Sequence, residues 1–270
     1  MTQGVTVWWM LLCALAVFNA LAWSVSARRL ARTGSGLPPD ILRTRRLLLG
    51  LSAVYMLGCA FRSILPMVDA PRICVVDGWL SRIVAGRSVA TVAEICFIAQ
   101  WALLMAEAGR VFGLRTASVV SRLLVPLIVL AQLCCWYAVL TTNYLLHFAE
   151  NALWTVSAAL LLACFVGLWT RVEQARRSLV TAGIVFAVGY IAFMLGFDLP
   201  MYLARWQADT AAARPYLSLA EGAAQVMERC IVTREWDLWR QDMVWLTLYF
   251  SIGVWSSIAL AHVPVLRAKQ

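Results

Sequence analysis

Residues 123–140 read LLVPLIVLAQLCCWYAVL and contain no charged side chain. A helix on the surface of a soluble protein would show a polar face every three or four residues, and a barrel strand would alternate, but this run is apolar on every side. A helix in lipid suits it, because every backbone N–H and C=O is then bonded inside the segment. Similar runs recur on both sides of it, near residues 5–27, 47–68, 83–108, 119–141, 146–169, 178–200 and 243–266. Each approaches the roughly 20 residues that a hydrocarbon layer of about 30 Å requires of a helix. The expected fold is therefore all-α: a polytopic bundle of about seven transmembrane helices, forming a single transmembrane domain over residues 1–270.

Composition supports lipid as the solvent. The chain is 62% hydrophobic and only 14% charged, well under the charged fraction of about 25% usual in soluble domains. Its net charge of +9 would suit nucleic acid, yet the basic residues flank apolar runs and form no basic domain. No nucleic-acid partner is expected; membrane lipid is. Lys269 is the only lysine among the cations, which points to a GC-rich, bacterial coding sequence.

Charge also predicts orientation, because cytoplasmic loops are richer in Lys and Arg. The first run has no basic residue before it and is followed by Arg28 and Arg29, so it reads as a retained first helix with its N-terminus outside. Alternate segments agree. One set holds Arg28, Arg29, Arg32, Arg43, Arg45 and Arg46, then Arg110, Arg115 and Arg122, then Arg171, Arg176 and Arg177, then Arg267 and Lys269. The other set balances Arg72, Arg82, Arg205, Arg214, Arg229, Arg234 and Arg240 with acids such as Asp69, Asp77, Asp209, Glu221 and Glu228. The expectation is N-out/C-in, in a bacterial inner membrane. Residues 201–242 form the one long outer loop, with a short amphipathic helix in residues 216–230, and Trp236 and Trp239 mark the outer interface.

Six of eight cysteines fall in apolar runs, where a thiol is ordinarily a small packing group. Cys74 and Cys230 lie in loops on the outer, oxidising side, so a disulfide between them is expected. The adjacent Cys134 and Cys135 form no ordinary metal or redox motif.

Ionisable groups at membrane depth are costly, at least about 2.5 kcal/mol each on insertion scales, so each should have a partner or a task. The candidates are Arg62, Arg87, Glu94, His147, Glu150 and Asp198, all in the outer half. Helical spacing places Arg87 and Glu94 on one face, beside a strip of Gly86, Ala90 and Ala93 that allows close helix approach. His147, Glu150, Asn151 and Trp154 form a second stripe. The expectation is one outward-facing polar pocket, with Glu94, His147, Glu150 and Asp198 as catalytic candidates and Arg62, Arg87, Asn151 and Trp154 as substrate-binding ones. The competing expectation is purely structural: Arg62 and Arg87 neutralise Glu94 and Asp198 and hold the helices in register. Glu107, near Arg110, is expected to be a local surface ion pair. No metal is assigned, since one intramembrane histidine makes a poor transition-metal site, and no cofactor is identified.

Three functional classes fit this pattern. Carboxyl and imidazole groups facing an apolar, Trp-rich bundle suit an enzyme acting on a lipid-like or amphipathic substrate, the favoured reading. A small-solute transporter would want helices broken near the midplane, for which Pro126 is the candidate. A non-catalytic subunit or receptor would need a protein partner or a second copy of the chain. The absence of a lysine in the last run excludes a retinal Schiff base there, and no Walker loop, Rossmann fingerprint or GxSxG elbow occurs.

Overall fold

A computed structural model describes residues 2–228 and 230–266; Arg229, Arg267 and Lys269 lie outside the described residues. Seven helical stretches among them are long and apolar enough to cross a membrane: Gln3–Gly36, Pro39–Ile64, Ile83–Phe112, Arg115–Thr141, Tyr144–Trp169, Gln174–Ala211 and Trp236–Leu260. The chain is built as a multi-pass membrane protein. Its residues cluster into two compact units, one comprising residues 1–100 and 223–263, the other residues 101–222 and 264–270.

The first unit contains α1 (Thr2–Thr33), α2 (Pro39–Ile64), the leading part of α3 (Ile83–Phe112), and the last crossing. With no water in the bilayer core, buried polar side chains here bond backbone carbonyls across helices. Trp9 and Trp23 of α1 donate to the carbonyls of Ile64 and Leu49 on α2, at 2.9 and 3.1 Å. Gln100 of α3 donates to Leu48 O of α2 at 2.7 Å and to Ser257 O at 3.2 Å, and accepts from the Ser257 hydroxyl at 2.6 Å. The small-residue strip does what its spacing predicts. Ala90 and Ala93 are buried, and a Cβ added to Gly58 of α2 would stand 2.7 Å from Ala93 Cβ. Arg45, read from sequence as a loop charge, lies within α2 and is buried.

Short strands β1 (Met67–Val68) and β2 (Ile73–Cys74) pair antiparallel. A third, β3 (Ile231–Val232), joins β2 in parallel, through Ile231 N–H to Arg72 O at 2.9 Å and Thr233 N–H to Cys74 O at 3.0 Å. Cys74 and Cys230 are disulfide-bonded, with their Cα atoms 5.9 Å apart, as their shared loop position predicts.

The second unit holds α4 (Arg115–Thr141), α5 (Tyr144–Trp169), α6 (Arg177–Phe193) and α7 (Leu199–Ala211), with α4 packed on α5 and α5 on both α6 and α7. The α4 helix runs through Pro126 without interruption. Glu107 is buried at 6% exposure, which corrects the expected surface pair. It sits where a Cβ on neighbouring Gly109 would lie 2.9 Å from the Ser118 backbone nitrogen, so the end of α3 is closely covered by α4.

Four crossings differ from their expected bounds by more than five residues: the first runs on to Gly36, the second already starts at Pro39, and the sixth and the last change as follows. The sixth continues past Pro200 to Ala211, because the π-helical turn Met194–Asp198 precedes the proline and loosens the ladder its missing N–H would otherwise break. The loop after it therefore starts at residue 212. The last crossing begins at Trp236 as α9 (Trp236–Leu248), widens into a π turn at Tyr249–Gly253 and ends as α10 (Val254–Leu260). Buried Asn19 donates to Phe250 O in that turn at 2.7 Å and accepts from Trp255 Nε1 at 2.9 Å. Trp239, expected at the interface, is fully buried, its ring tilted against Trp8 at 5.6 Å between centroids and its Nε1 donating to Thr233 O at 3.0 Å.

A short helix, α8 (Leu219–Met227), occupies the long loop as expected. Ser218 and Glu221 form a reciprocal cap at its start: the Ser218 amide donates to Glu221 Oε2 at 2.8 Å and the Glu221 amide to Ser218 Oγ at 3.3 Å. The Ser218 hydroxyl, which donates to Glu221 Oε2 at 2.7 Å, and then the Ser218 amide hold the Glu221 carboxyl below the usual carboxylate range. Gly222 follows, where an added Cβ would lie 2.0 Å from Leu140 O at the end of α4. Backbone cannot yield as a side-chain tip can. Gly222→Ala is expected to destabilise the protein by about 1–3 kcal/mol, as overpacking typically does; a thermal midpoint equal to wild type would show that Gly222 does not seat against Leu140.

Candidate functional site

The ionisable residues singled out by sequence fall into two clusters, one in each unit. In the first unit, Arg87 lies between two carboxylates, with Nη2 3.2 Å from Glu94 Oε2 and Nη1 3.7 Å from Asp69 Oδ2. Glu94 Oε1 accepts from the Tyr249 hydroxyl at 3.2 Å. The π turn positions that tyrosine, and Gly253 within it leaves room for Tyr55, whose hydroxyl would stand 2.6 Å from an added Cβ. Arg62 donates to Met67 O at 3.3 Å. The partner of Glu94 is thus seven residues away on its own helix, two turns along one face. Both of its oxygens are engaged.

In the second unit, His147 and Glu150 occupy successive turns at the start of α5, both buried, with His147 Nδ1 and Glu150 Oε2 3.0 Å apart. Asn143 begins the helix by accepting from the Leu145 amide at 3.0 Å, and Asn151 returns a bond to His147 O at 3.0 Å. Cys135 of α4, fully buried, completes a group in which one donor atom from each of Cys135, His147 and Glu150 lies within 4.8 Å of the others.

Aromatic rings and guanidinium groups border this cluster. Tyr202 of α7 stacks on the His147 ring at 5.1 Å between centroids. Arg205 lies over Tyr144 and Tyr202 at 5.5 and 5.7 Å, and Arg214 over Tyr144 and Tyr216 at 5.8 and 5.4 Å. Arg214 also donates to Thr142 O and Asp209 Oδ2, both at 2.6 Å, and the Asp209 carboxylate raises its pKa above the ordinary guanidinium value. Thr142, whose carbonyl accepts from Arg214, lies at φ 59°, a left-handed conformation that is uncommon for a β-branched residue. The turn between α4 and α5 is held from above.

Of the sequence-predicted site residues, the structure brings Arg87 to Glu94 and His147 to Glu150. Asn151 joins the second group through its backbone bond. Asp198 sits in the first π turn and Trp154 two turns along α5, both partly buried. His262, near the end of the last crossing, meets Ser26 Oγ at 2.5 Å. Cys135 was missed, although a signal existed. In an antiparallel helical hairpin, residues equally far from the turn share a depth, and Cys135 and Glu150 are equidistant from the Thr142–Asn143 turn. The chain matches no family model, no curated protein and no solved structure.

Proposed function

We propose that the chain is an enzyme of a bacterial inner membrane, with its N-terminus outside, that works on an amphipathic, lipid-like substrate at the Cys135–His147–Glu150 cluster. The buried His147–Glu150 hydrogen bond carries this reading. An ionisable pair at membrane depth is costly, and a carboxylate that holds an imidazole in one tautomer gives the arrangement of an oriented acid–base group. Arg205, seated on the Tyr144 and Tyr202 rings, supplies positive charge for an anionic headgroup while its chains stay in lipid. The orientation is supported by the arginine-rich alternate loops and by the disulfide, which needs an oxidising compartment on the side of Cys74 and Cys230. Under it, the cluster lies near the outer ends of α4 and α5.

The test is conversion of lipid. Purified protein reconstituted in vesicles of bacterial lipid extract is expected to change at least one lipid species by mass spectrometry. His147→Ala should lower that rate by about 10²–10⁴-fold, the usual share of an acid–base group. A wild-type protein that leaves every lipid unaltered, or a His147→Ala variant as fast as wild type, would remove the enzyme reading.

A further inference from the structure

We propose that Cys135, His147 and Glu150 form a binding site for a divalent transition metal ion, with zinc as the best fit. This rests on the reading above for the place of the site and changes its chemistry: with the ion bound, His147 and Glu150 serve as ligands, and the water at the open position takes over the acid–base role. The donors are a thiol sulfur, an imidazole nitrogen and a carboxylate oxygen, mutually within 4.8 Å and all buried. A tetrahedral zinc ion with bonds of about 2.0–2.3 Å separates its ligand atoms by roughly 3.3–3.8 Å. The His147–Glu150 separation of 3.0 Å must widen by a few tenths of an ångström, and any separation near the 4.8 Å limit must contract by about 1 Å, changes that side-chain torsions can supply. His147 and Glu150, three residues apart on one helix face, with the third ligand from the facing helix, repeat the way bundles build metal sites.

Charge selects the ion. A thiolate and a carboxylate together carry two negative charges, which a dication neutralises, so the loaded site holds no net charge in an apolar surrounding where each unpaired charge is costly. Binding releases the Cys135 proton, and the ion takes over the space between Nδ1 and Oε2 now bridged by a hydrogen bond. Sulfur and imidazole disfavour calcium and magnesium, which ask for six or more oxygens or for retained waters. Three protein ligands leave a fourth position for water or a substrate headgroup, the pattern of zinc sites that do chemistry and not of closed structural ones.

Cobalt(II) is the probe. Protein stripped with a chelator and titrated with Co²⁺ is expected to develop the strong visible bands of a tetrahedral site and a near-ultraviolet thiolate-to-cobalt band, both abolished by added Zn²⁺. Cys135→Ala should lose the thiolate band. His147→Ala should weaken binding by more than the roughly 10–100-fold lost when an outer-shell partner of a metal ligand is removed. Cys134→Ala, which alters the adjacent thiol, should leave the spectrum unchanged. A wild-type spectrum without tetrahedral bands overturns the proposal however the variants fold, and so does a thiolate band that disappears with Cys134 and persists without Cys135. The metal reads out in the cobalt spectrum and the substrate reading in lipid conversion, so each fails without the other.

Discussion

Arg87→Gln is expected to cost about 3–5 kcal/mol, the loss that follows when a buried ion pair is broken from one side. Arg87 is 5% exposed and faces two carboxylates, Glu94 at 3.2 Å and Asp69 at 3.7 Å. Its removal leaves both without that cation. Glu94→Gln is gentler, since Arg87 keeps Asp69 and the Tyr249 hydroxyl can still donate to the amide oxygen. That variant should lose about 1.5–3 kcal/mol, the worth of a hydrogen bond to a charged group. The double variant removes the cation and the nearer anion together, so it should recover part of the Arg87→Gln loss. Thermal unfolding and folded yield after membrane extraction measure all three. Equal losses for the two single variants, or a double variant that simply adds them, would show that Arg87 does not hold the two acids together. This network holds one cation between two acids in the first unit, and its stability role is separable from the chemistry proposed for the second.

Loss of the disulfide is the other large effect. Cys74 and Cys230 are 156 residues apart in sequence, and loop-closure entropy for a free chain of that length amounts to about 5 kcal/mol. A membrane protein realises less, because its unfolded helices stay threaded through the bilayer and the intervening chain is already confined; we expect about 2–3 kcal/mol. Cys74→Ser, Cys230→Ser and the double variant should have similar thermal midpoints, below that of wild type. Reductant should bring wild type to their level and leave the variants where they are. The parallel pairing of β2 with β3 involves only two residues on each strand, too few to stand without support, so residues 231–233 should become accessible to protease when the bond is absent. A wild-type midpoint indifferent to reductant would contradict the cross-link.

The seven crossings were legible because lipid imposes a length and an apolar character on every one of them, and because a bundle has few other ways to satisfy its backbone. The ends of the sixth and seventh were not. Pro200 reads as a stop, and the π turn that lets the helix pass it leaves no pattern in hydropathy. Trp236 and Trp239 look alike as interfacial anchors, but Trp239 faces α1 and becomes core. The site was half legible. Spacing along one helix found Arg87 with Glu94 and His147 with Glu150, since period alone decides which residues share a face. Partners on other helices depend on rotation about the helix axis, which spacing does not report. Asp69 reached Arg87 from a turn, Tyr249 reached Glu94 from a π turn, and Cys135 looked no different from its neighbour Cys134.

The division of the chain between the units sets an order of events during synthesis. Residues 101–222 are continuous, whereas the first unit draws on residues 1–100 and again on residues 223–263. The helices made first must therefore wait in the membrane while the middle of the chain is produced. Until residue 230 is made, Cys74 has no Cys230 to oxidise with, and until the last crossing arrives Asn19 has no Phe250 carbonyl to bind. The nascent chain meanwhile carries the Cys74 thiol unoxidised and the Asn19 amide without its Phe250 carbonyl, so both contacts close only late in synthesis.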